Sequence, residues 1–406
     1  MPAFDFEVAI VGAGPSGSTA ALSLLQSRPG MRGRVVMLER ARMPREKPCA
    51  GAIGARGDAL LAQLGVVVDV PGAPIDGIAL VGADGSVVAS PGRIGRVVRR
   101  FEFDHALARL AVSRGAELRD GMRVDDVRDE GDAGVALDTA QGTLRARVVI
   151  GCDGVGSLVR KKMGLGSGRL RAQVVEVDTE AAPGDRDRSL LVFDSSDRSL
   201  SGYAWDFPTI VDGKPLVCRG VYRLKIDGDE RDDGVDVATK LDARLRAQGL
   251  DPSRCKNKRY AERGFEPASR VAAGALMLAG EAAGIDPVTG EGIAQAIEYG
   301  VLAGRFVAGA LAQAGAAGVS VDGWGRQLAR SRLARDLRLR AGFVGLFYGP
   351  ARLDVERFLL ESSNALHVGC QHFAARPYDW LKLADVIARG AARLFGRRVA
   401  ALLGGR

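Results

Sequence analysis

A glycine turn set between a buried strand and a helix constrains this chain more than any other feature. Glu7-Val-Ala-Ile-Val11 reads as a buried parallel strand, Pro15 to Gln26 as a helix, and Arg34-Val-Val-Met-Leu38 as the next strand. Together they make a strand–helix–strand unit of roughly the thirty residues such a crossover needs. Between the first strand and the helix stands Gly12-Ala-Gly14-Pro15-Ser16-Gly17. Its glycines permit a tight turn, close approach of the backbone to a pyrophosphate, and close packing of helix on strand. The free N–H groups of the helix start then face phosphate charge. Alone, this pattern is common. It gains weight from Glu39 at the end of the second strand, followed by Arg40. A carboxylate there accepts hydrogen bonds from a ribose 2′-OH and repels a 2′-phosphate, which argues against NADP at this site.

Further along, Phe103 to Ala116 has helical periodicity, Val124 to Leu137 reads as a hairpin, and Ala146-Arg-Val-Val-Ile150 as another buried strand. From Arg169 to Ala261, short β-like runs separated by Asp, Gly and Pro predict an antiparallel sheet. Ala275-Leu-Met-Leu-Ala279 is again strand-like, with a helix from Gly292 to Ala312 and arginine-rich helices beyond Val321. The parallel strands are thus interrupted by a β-rich insertion, and the domains interleave.

The second motif, Gly151-Cys-Asp153-Gly154-Val-Gly-Ser157, directly follows one of these strands. The third, Gly280-Glu281-Ala-Ala-Gly284, follows another and runs on into Asp286-Pro287-Val-Thr-Gly290-Glu-Gly292-Ile293. Pro287, Gly290 and Gly292 suit a chain that turns beside a flat ligand and then starts a helix, whose open N–H groups face developing negative charge. In this order and spacing the three motifs resemble the flavoprotein class typified by para-hydroxybenzoate hydroxylase, over residues 1–320. Arg100-Phe-Glu-Phe-Asp104 resembles the class's R-x-x-F-D helix start. The resemblance implies FAD as cofactor, contacted by residues of all three motifs, Ile293 included, and by Arg100. The chain departs from the class at Glu281, where the class has Asp.

Lys47-Pro48-Cys49-Ala50-Gly51 resembles the K-P-C-G-G segment of geranylgeranyl reductases, and a related segment occurs in flavin halogenases. It implies that Cys49 and Ala50 lie against the cofactor. Gly202-Tyr203-Ala-Trp205-Asp-Phe207-Pro208 resembles the aromatic strand that lines the lipid cavity of those reductases. Strand alternation puts Tyr203, Trp205 and Phe207 on one face, an apolar wall for a flat or greasy substrate or else plain sheet core. Cys49 is the candidate catalytic residue, as a proton donor or substrate contact; the alternative is a small apolar residue packed under the cofactor.

The expected architecture is α/β: a doubly wound FAD domain (1–70, 96–165 and 268–320), an interleaved antiparallel substrate domain (71–95 and 166–267), and a helical basic region (321–406). The expected function is FAD-dependent reduction of a C=C bond in an isoprenoid or similar apolar molecule. The alternatives are a monooxygenase or halogenase-like enzyme acting on an aromatic or polyketide compound, and a non-redox scaffold that retains FAD. No second glycine motif is visible for a nicotinamide, but such classes often use NAD(P)H as a transient donor without one.

Charge and composition exclude other classes. From Arg326 onward fifteen Lys and Arg face six Asp and Glu, a net of +9, which leaves −1 on the preceding residues of a chain carrying +8. No nucleic-acid motif accompanies this basic region. Residues 386–403 mix apolar and basic side chains at helical intervals, suited either to an anionic membrane surface or to a solvated face packed on the body. Five scattered cysteines without CxxC spacing and three histidines (His105, His367, His372) predict no metal site and a reducing, cytoplasmic setting. No uninterrupted apolar run of the ~18 residues of a membrane span occurs, and the N-terminus does not read as a signal peptide.

Overall fold

In the computed structural model the described residues are 4–186, 189–225, 233–314 and 319–403, with side chains described to 393. At its centre lies a parallel sheet ordered Glu117–Asp120, Val35–Glu39, Phe6–Val11, Gly142–Gly151 and Leu276–Leu278. All residues of Phe6–Val11 and Val35–Glu39 are buried, as expected of strands covered on both faces. That is why they read as unbroken apolar runs rather than as alternation. The hairpin Val124–Asp129 and Val135–Thr139 extends this sheet antiparallel from Gly142–Gly151.

The helices Pro15–Ser27 and Ile293–Gln313 pack together on one face. Their close approach depends on glycine: a Cβ at Gly300 would lie 2.0 Å from Thr19 Oγ1, and one at Gly304 2.5 Å from the Ala20 carbonyl. Val35–Glu39 pairs on one side of Phe6–Val11 and Gly142–Gly151 on the other, so the strand order reverses at the first strand. The carboxyl ends of these strands at such a switch point form the crevice where ligands bind in doubly wound folds.

A second sheet of seven strands runs Lys258–Arg263, Arg171–Thr179, Lys214–Lys225, Gly202–Val211, Leu190–Asp194, Gly77–Gly82 and Gly85–Ala89. Neighbours are antiparallel except Leu190–Asp194 with Gly77–Gly82. That pair joins segments far apart in the chain, where no hairpin sets the direction. A small third sheet of Ala52–Gly54, Gly95–Val98 and Gly72–Ile75 joins the two layers. The helices Trp324–Arg330, Arg332–Phe347, Arg352–Glu361, Ser363–Phe373 and Trp380–Leu403 follow. Val344, Tyr348, Cys370 and Ala374 from this region complete the core beneath the second sheet.

Candidate functional site: a dinucleotide cleft closed by the second sheet

The three glycine motifs meet at the switch point. Gly12 has φ +99°, and a Cβ there would lie 2.4 Å from the Cys152 carbonyl, so the first motif touches the second through bare backbone. The third touches the first in the same way, since a Cβ on Gly280 (φ +64°) would lie 2.8 Å from Ser16 Cβ. Gly17 is structural: its Cβ would overlap the Gly12 carbonyl at 1.9 Å. Gly14 differs from these. Its φ is −73°, and a Cβ would meet the guanidinium tips of Arg45 at 3.4 Å and Arg100 at 3.6 Å and the Asp104 carboxylate at 3.8 Å, all in ordinary contact. Gly14 therefore faces space edged by two cations and the carboxylate they share.

That space is a cleft of about 430 Å³. Gly12, Gly14, Pro15, Ser16, Glu39 and Arg40 line it together with Cys49, Arg100, Asp153 and Gly154. Glu281, Gly290, Gly292 and Ile293 of the third motif line it as well. Four expected contacts stand behind this lining. Gly17 and Gly280 shape the turns. Ala50 packs against the core of the second layer. Pro287 presents its carbonyl to the Tyr222 hydroxyl at 3.1 Å.

The carboxylates at the cleft are held individually. Glu39 Oε2 accepts from the Ala13 N–H at 3.2 Å and pairs with Arg45 at 3.4 Å. Asp104 takes a bidentate grip from Arg100 at 2.6 and 2.7 Å and pairs with Arg45 at 3.1 Å. Arg45 thus bridges the acids of two motifs; sequence reasoning passed over it because it belongs to none. Asp153 Oδ2 accepts from the N–H groups of Leu158 (2.6 Å) and Val159 (3.2 Å), while its Oδ1 is buried with no partner. Burial holds this carboxyl above its ordinary value. The longer Glu281 side chain reaches across to the second motif, its Oε2 3.5 Å from where a Gly154 Cβ would be.

Cys49 sits beside Arg100 in the segment crossing the cleft. Its N–H donates to Glu176 Oε1 at 3.0 Å, and its sulfur accepts from the Gly51 N–H at 3.4 Å. Burial pushes the thiol pKa up, and the Arg100 charge opposes this. Two further residues come from the edge strand of the second sheet: Tyr260, whose ring lies 5.6 Å beneath the Lys47 ammonium, and Glu262.

The aromatic strand packs in the second core. Tyr203, Trp205 and Phe207 do share a face, but none of them lines the cleft. Trp205 is 2% exposed and Phe207 6%, packed around Phe193 and Tyr222 in the second core. Tyr203 instead donates its hydroxyl to the Thr289 carbonyl, so the strand holds the third motif's loop from behind.

The residues fit a dinucleotide. Gly14 leaves room for a phosphate beside two guanidinium groups, Asp153 keeps a buried oxygen without a partner, and Glu39 stands at the end of its strand where a ribose hydroxyl is expected. The fold and this cleft define a flavin-dependent oxidoreductase. The family model described as an FAD binding domain covers residues 5–320, and the chain belongs to that family. It is 29% identical to a digeranylgeranylglycerophospholipid reductase of Methanothrix thermoacetophila, over 84% of this chain and 88% of that one. It is 30% identical to a menaquinone reductase of Mycobacterium tuberculosis, over 74% of this chain and 75% of that one. Among solved structures, a geranylgeranyl bacteriochlorophyll reductase-like protein of Thermoplasma acidophilum aligns with TM-score 0.65 at 19% identity, covering 94% of this chain and 96% of that one. A flavin-dependent brominase aligns with TM-score 0.71 at 17% identity, covering 97% and 99%. These last two are likenesses of fold. No helix among the described residues is long and apolar enough to cross a membrane.

Proposed function

We propose that the protein reduces C=C bonds of an isoprenoid or similar apolar substrate, with FAD as resident cofactor and NAD(P)H as transient electron donor. One observation carries the choice: Lys47, Pro48 and Cys49 line the cleft from within a segment that resembles the K-P-C-G-G signature, in a chain whose relatives are named as reductases of isoprenoid-bearing molecules. When bound, FAD supplies a hydride equivalent. The chain's own residues do the rest. Gly12, Gly14 and the start of the Pro15–Ser27 helix would hold the pyrophosphate, Glu39 the adenosine ribose, and Asp153 and Glu281 the ribityl side. The first turn of Ile293–Gln313 opens on the cleft and would stabilise negative charge there. Cys49, half-buried, narrows the cleft and helps exclude water.

The test is anaerobic photoreduction of the FAD-loaded protein followed by a geranylgeranyl lipid or menaquinone. Flavin reoxidation accompanied by a product two hydrogens heavier is expected. Reoxidation only by air, with a product that has gained an oxygen atom, would replace this reading by the monooxygenase. No turnover of either kind would leave the scaffold.

A further inference from the structure

We propose that Glu262 is the acid that gives a proton to the substrate carbon when the double bond is saturated, an assignment that rests on the reductase reading above. Lys258–Arg263 is the edge strand of the second sheet, and its alternation turns Lys258, Tyr260 and Glu262 to one face. Tyr260 and Glu262 both line the cleft with Cys49, Glu281 and Gly290. The Glu262 carboxyl lies at the third motif's turn, its Oε2 2.5 Å from where a Gly290 Cβ would be. A side chain at position 290, which has φ +67°, would have to push it aside.

Like Asp153, Glu262 keeps a buried oxygen without a partner among the described residues, its Oε2, which is shielded from solvent. The other acids around it, Glu281 excepted, are engaged. Glu39 and Asp104 are paired with arginines, and Glu176 accepts from the Cys49 N–H and, at 3.1 Å, from the Tyr260 hydroxyl. Asp286 accepts from the Val288 N–H at 2.8 Å and pairs with Arg340. A carboxyl kept for structure alone would be expected to have such partners. Burial, reinforced by the negative charges of Glu281, Asp286 and Glu176, holds the Glu262 carboxyl well above its ordinary value; Lys47 is the cation that opposes this. The raised value favours the protonated form of a carboxyl that lines the cleft beside Tyr222 and Tyr260.

Saturating one double bond adds a hydride equivalent, with both electrons, from reduced FAD to one carbon and a proton to the other. The Glu262 O–H bond breaks as the new C–H bond forms. The carboxylate left behind faces the Lys47 ammonium and takes a proton back from water, and reduced nicotinamide restores the two electrons to FAD. Cys49 is less suited to this donation: its sulfur already accepts from Gly51, and burial makes its thiol a still weaker acid.

The experiment compares wild type, Glu262→Gln and Glu262→Asp, all loaded with FAD. Infrared difference spectra between wild type and Glu262→Gln at neutral pH should show the carbonyl stretch of a protonated carboxyl, and Glu262→Gln should bind FAD as wild type does. After photoreduction, its reoxidation by a geranylgeranyl lipid should slow on the order of 10²-fold or more, the span of general-acid catalysis. The wild-type rate should fall as pH rises through the carboxyl's own titration, and that limb should vanish in Glu262→Gln but only shift in Glu262→Asp. A carboxylate signal at neutral pH overturns the assignment, as does a Glu262→Gln enzyme that turns over at the wild-type rate. If wild type saturates no isoprenoid substrate, the reductase reading itself fails and the assignment falls with it; if wild type turns over and Glu262→Gln matches it, only the acid is wrong.

Discussion

Gly14→Val separates cofactor binding from folding, because Gly14 is the one glycine of the first motif whose side faces the cleft. Its backbone (φ −73°, ψ −171°) is one a β-branched residue adopts freely. A Cβ meets its nearest neighbour, an arginine tip, at 3.4 Å, an ordinary contact with a flexible group. The protein without cofactor should thus unfold within about 1 kcal/mol of wild type. The branched side chain would nevertheless occupy the space a phosphate needs against the helix start and hold Arg45 and Arg100 away. Losing one or two charge-assisted hydrogen bonds, at roughly 1.5–3 kcal/mol each, weakens FAD by on the order of 10²-fold. Gly17→Ala is the contrast, since its methyl group overlaps the Gly12 carbonyl at 1.9 Å and must break the turn itself. Flavin fluorescence titration of the apoproteins, alongside their thermal unfolding, reads both quantities. Wild-type FAD affinity in Gly14→Val would refute the assignment of this turn to the pyrophosphate; an apoprotein as unstable as Gly17→Ala would refute the reading of its surroundings.

Three other expectations are independent of this one. Glu281→Gln should weaken FAD by about 1–3 kcal/mol while Glu281→Asp binds at least as well, measured by the same titration; equal affinities in all three would show that this carboxylate points elsewhere. His372, whose ring stacks on Tyr378 with Nδ1 2.6 Å from its hydroxyl, is pushed down to about 4 by burial and the nearby Arg340 charge. Its folded value lies below its unfolded one, so its contribution to stability is whole above the ordinary histidine range and is lost as pH falls through it toward 4. Urea midpoints across that window should fall more steeply for wild type than for His372→Gln. Trp380, Leu381 and Ile387 are exposed on the Trp380–Leu403 helix, 75%, 85% and 62% respectively, although Arg389 and Arg393 are paired with Asp385 and Glu361. Side chains 394–403 of the basic stretch lie outside the described residues. If this helix rests on a membrane, the protein should sediment with anionic but not neutral vesicles and be released by salt; no sedimentation at low salt would return the stretch to a solvated face.

Legibility in the sequence followed the range of the interactions. The parallel strands and the glycine turns could be read because their causes are local: an unbroken apolar run needs both faces covered, and a glycine before a helix start has few other uses. The helix at Arg100 and the hairpin at Val124 were readable for the same reason, to within a few residues. The aromatic strand was legible only in part, because alternation says which side chains share a face but not what that face meets. Here it meets Phe193, Tyr222 and the helices after residue 330. Glu262 was missed for the converse reason. A strand reading Lys-Arg-Tyr-Ala-Glu-Arg looks like a solvated edge, and only the chain's return over the first motif turns that face into a cleft wall.

The same return explains why the chain is interleaved. The loop from Asp286 to Gly292 carries the turn that the third motif needs. Asp286 gathers its local bonds, from the Val288 N–H, the Thr289 hydroxyl and the Gly290 N–H, but the carbonyls of residues 287–289 are met from outside. Three tyrosine hydroxyls fasten its backbone in succession: Tyr222 on the Pro287 carbonyl, Tyr348 on that of Val288, and Tyr203 on that of Thr289. Two tyrosines come from the second sheet and one follows the helix Arg332–Phe347, while Arg340 from that same helix pairs with Asp286 and, at 3.1 Å, with Glu291. Burial keeps each of these hydroxyls protonated, so all three remain donors. Each buried carbonyl would otherwise need a partner that a loop at the mouth of an open cleft cannot offer it. Apart from Tyr260 and Glu262, the second sheet and the C-terminal helices are thus part of the cofactor site without lining it. A nucleotide-binding domain cut from this chain would keep its glycine motifs and lose the scaffold that sets the third one in place.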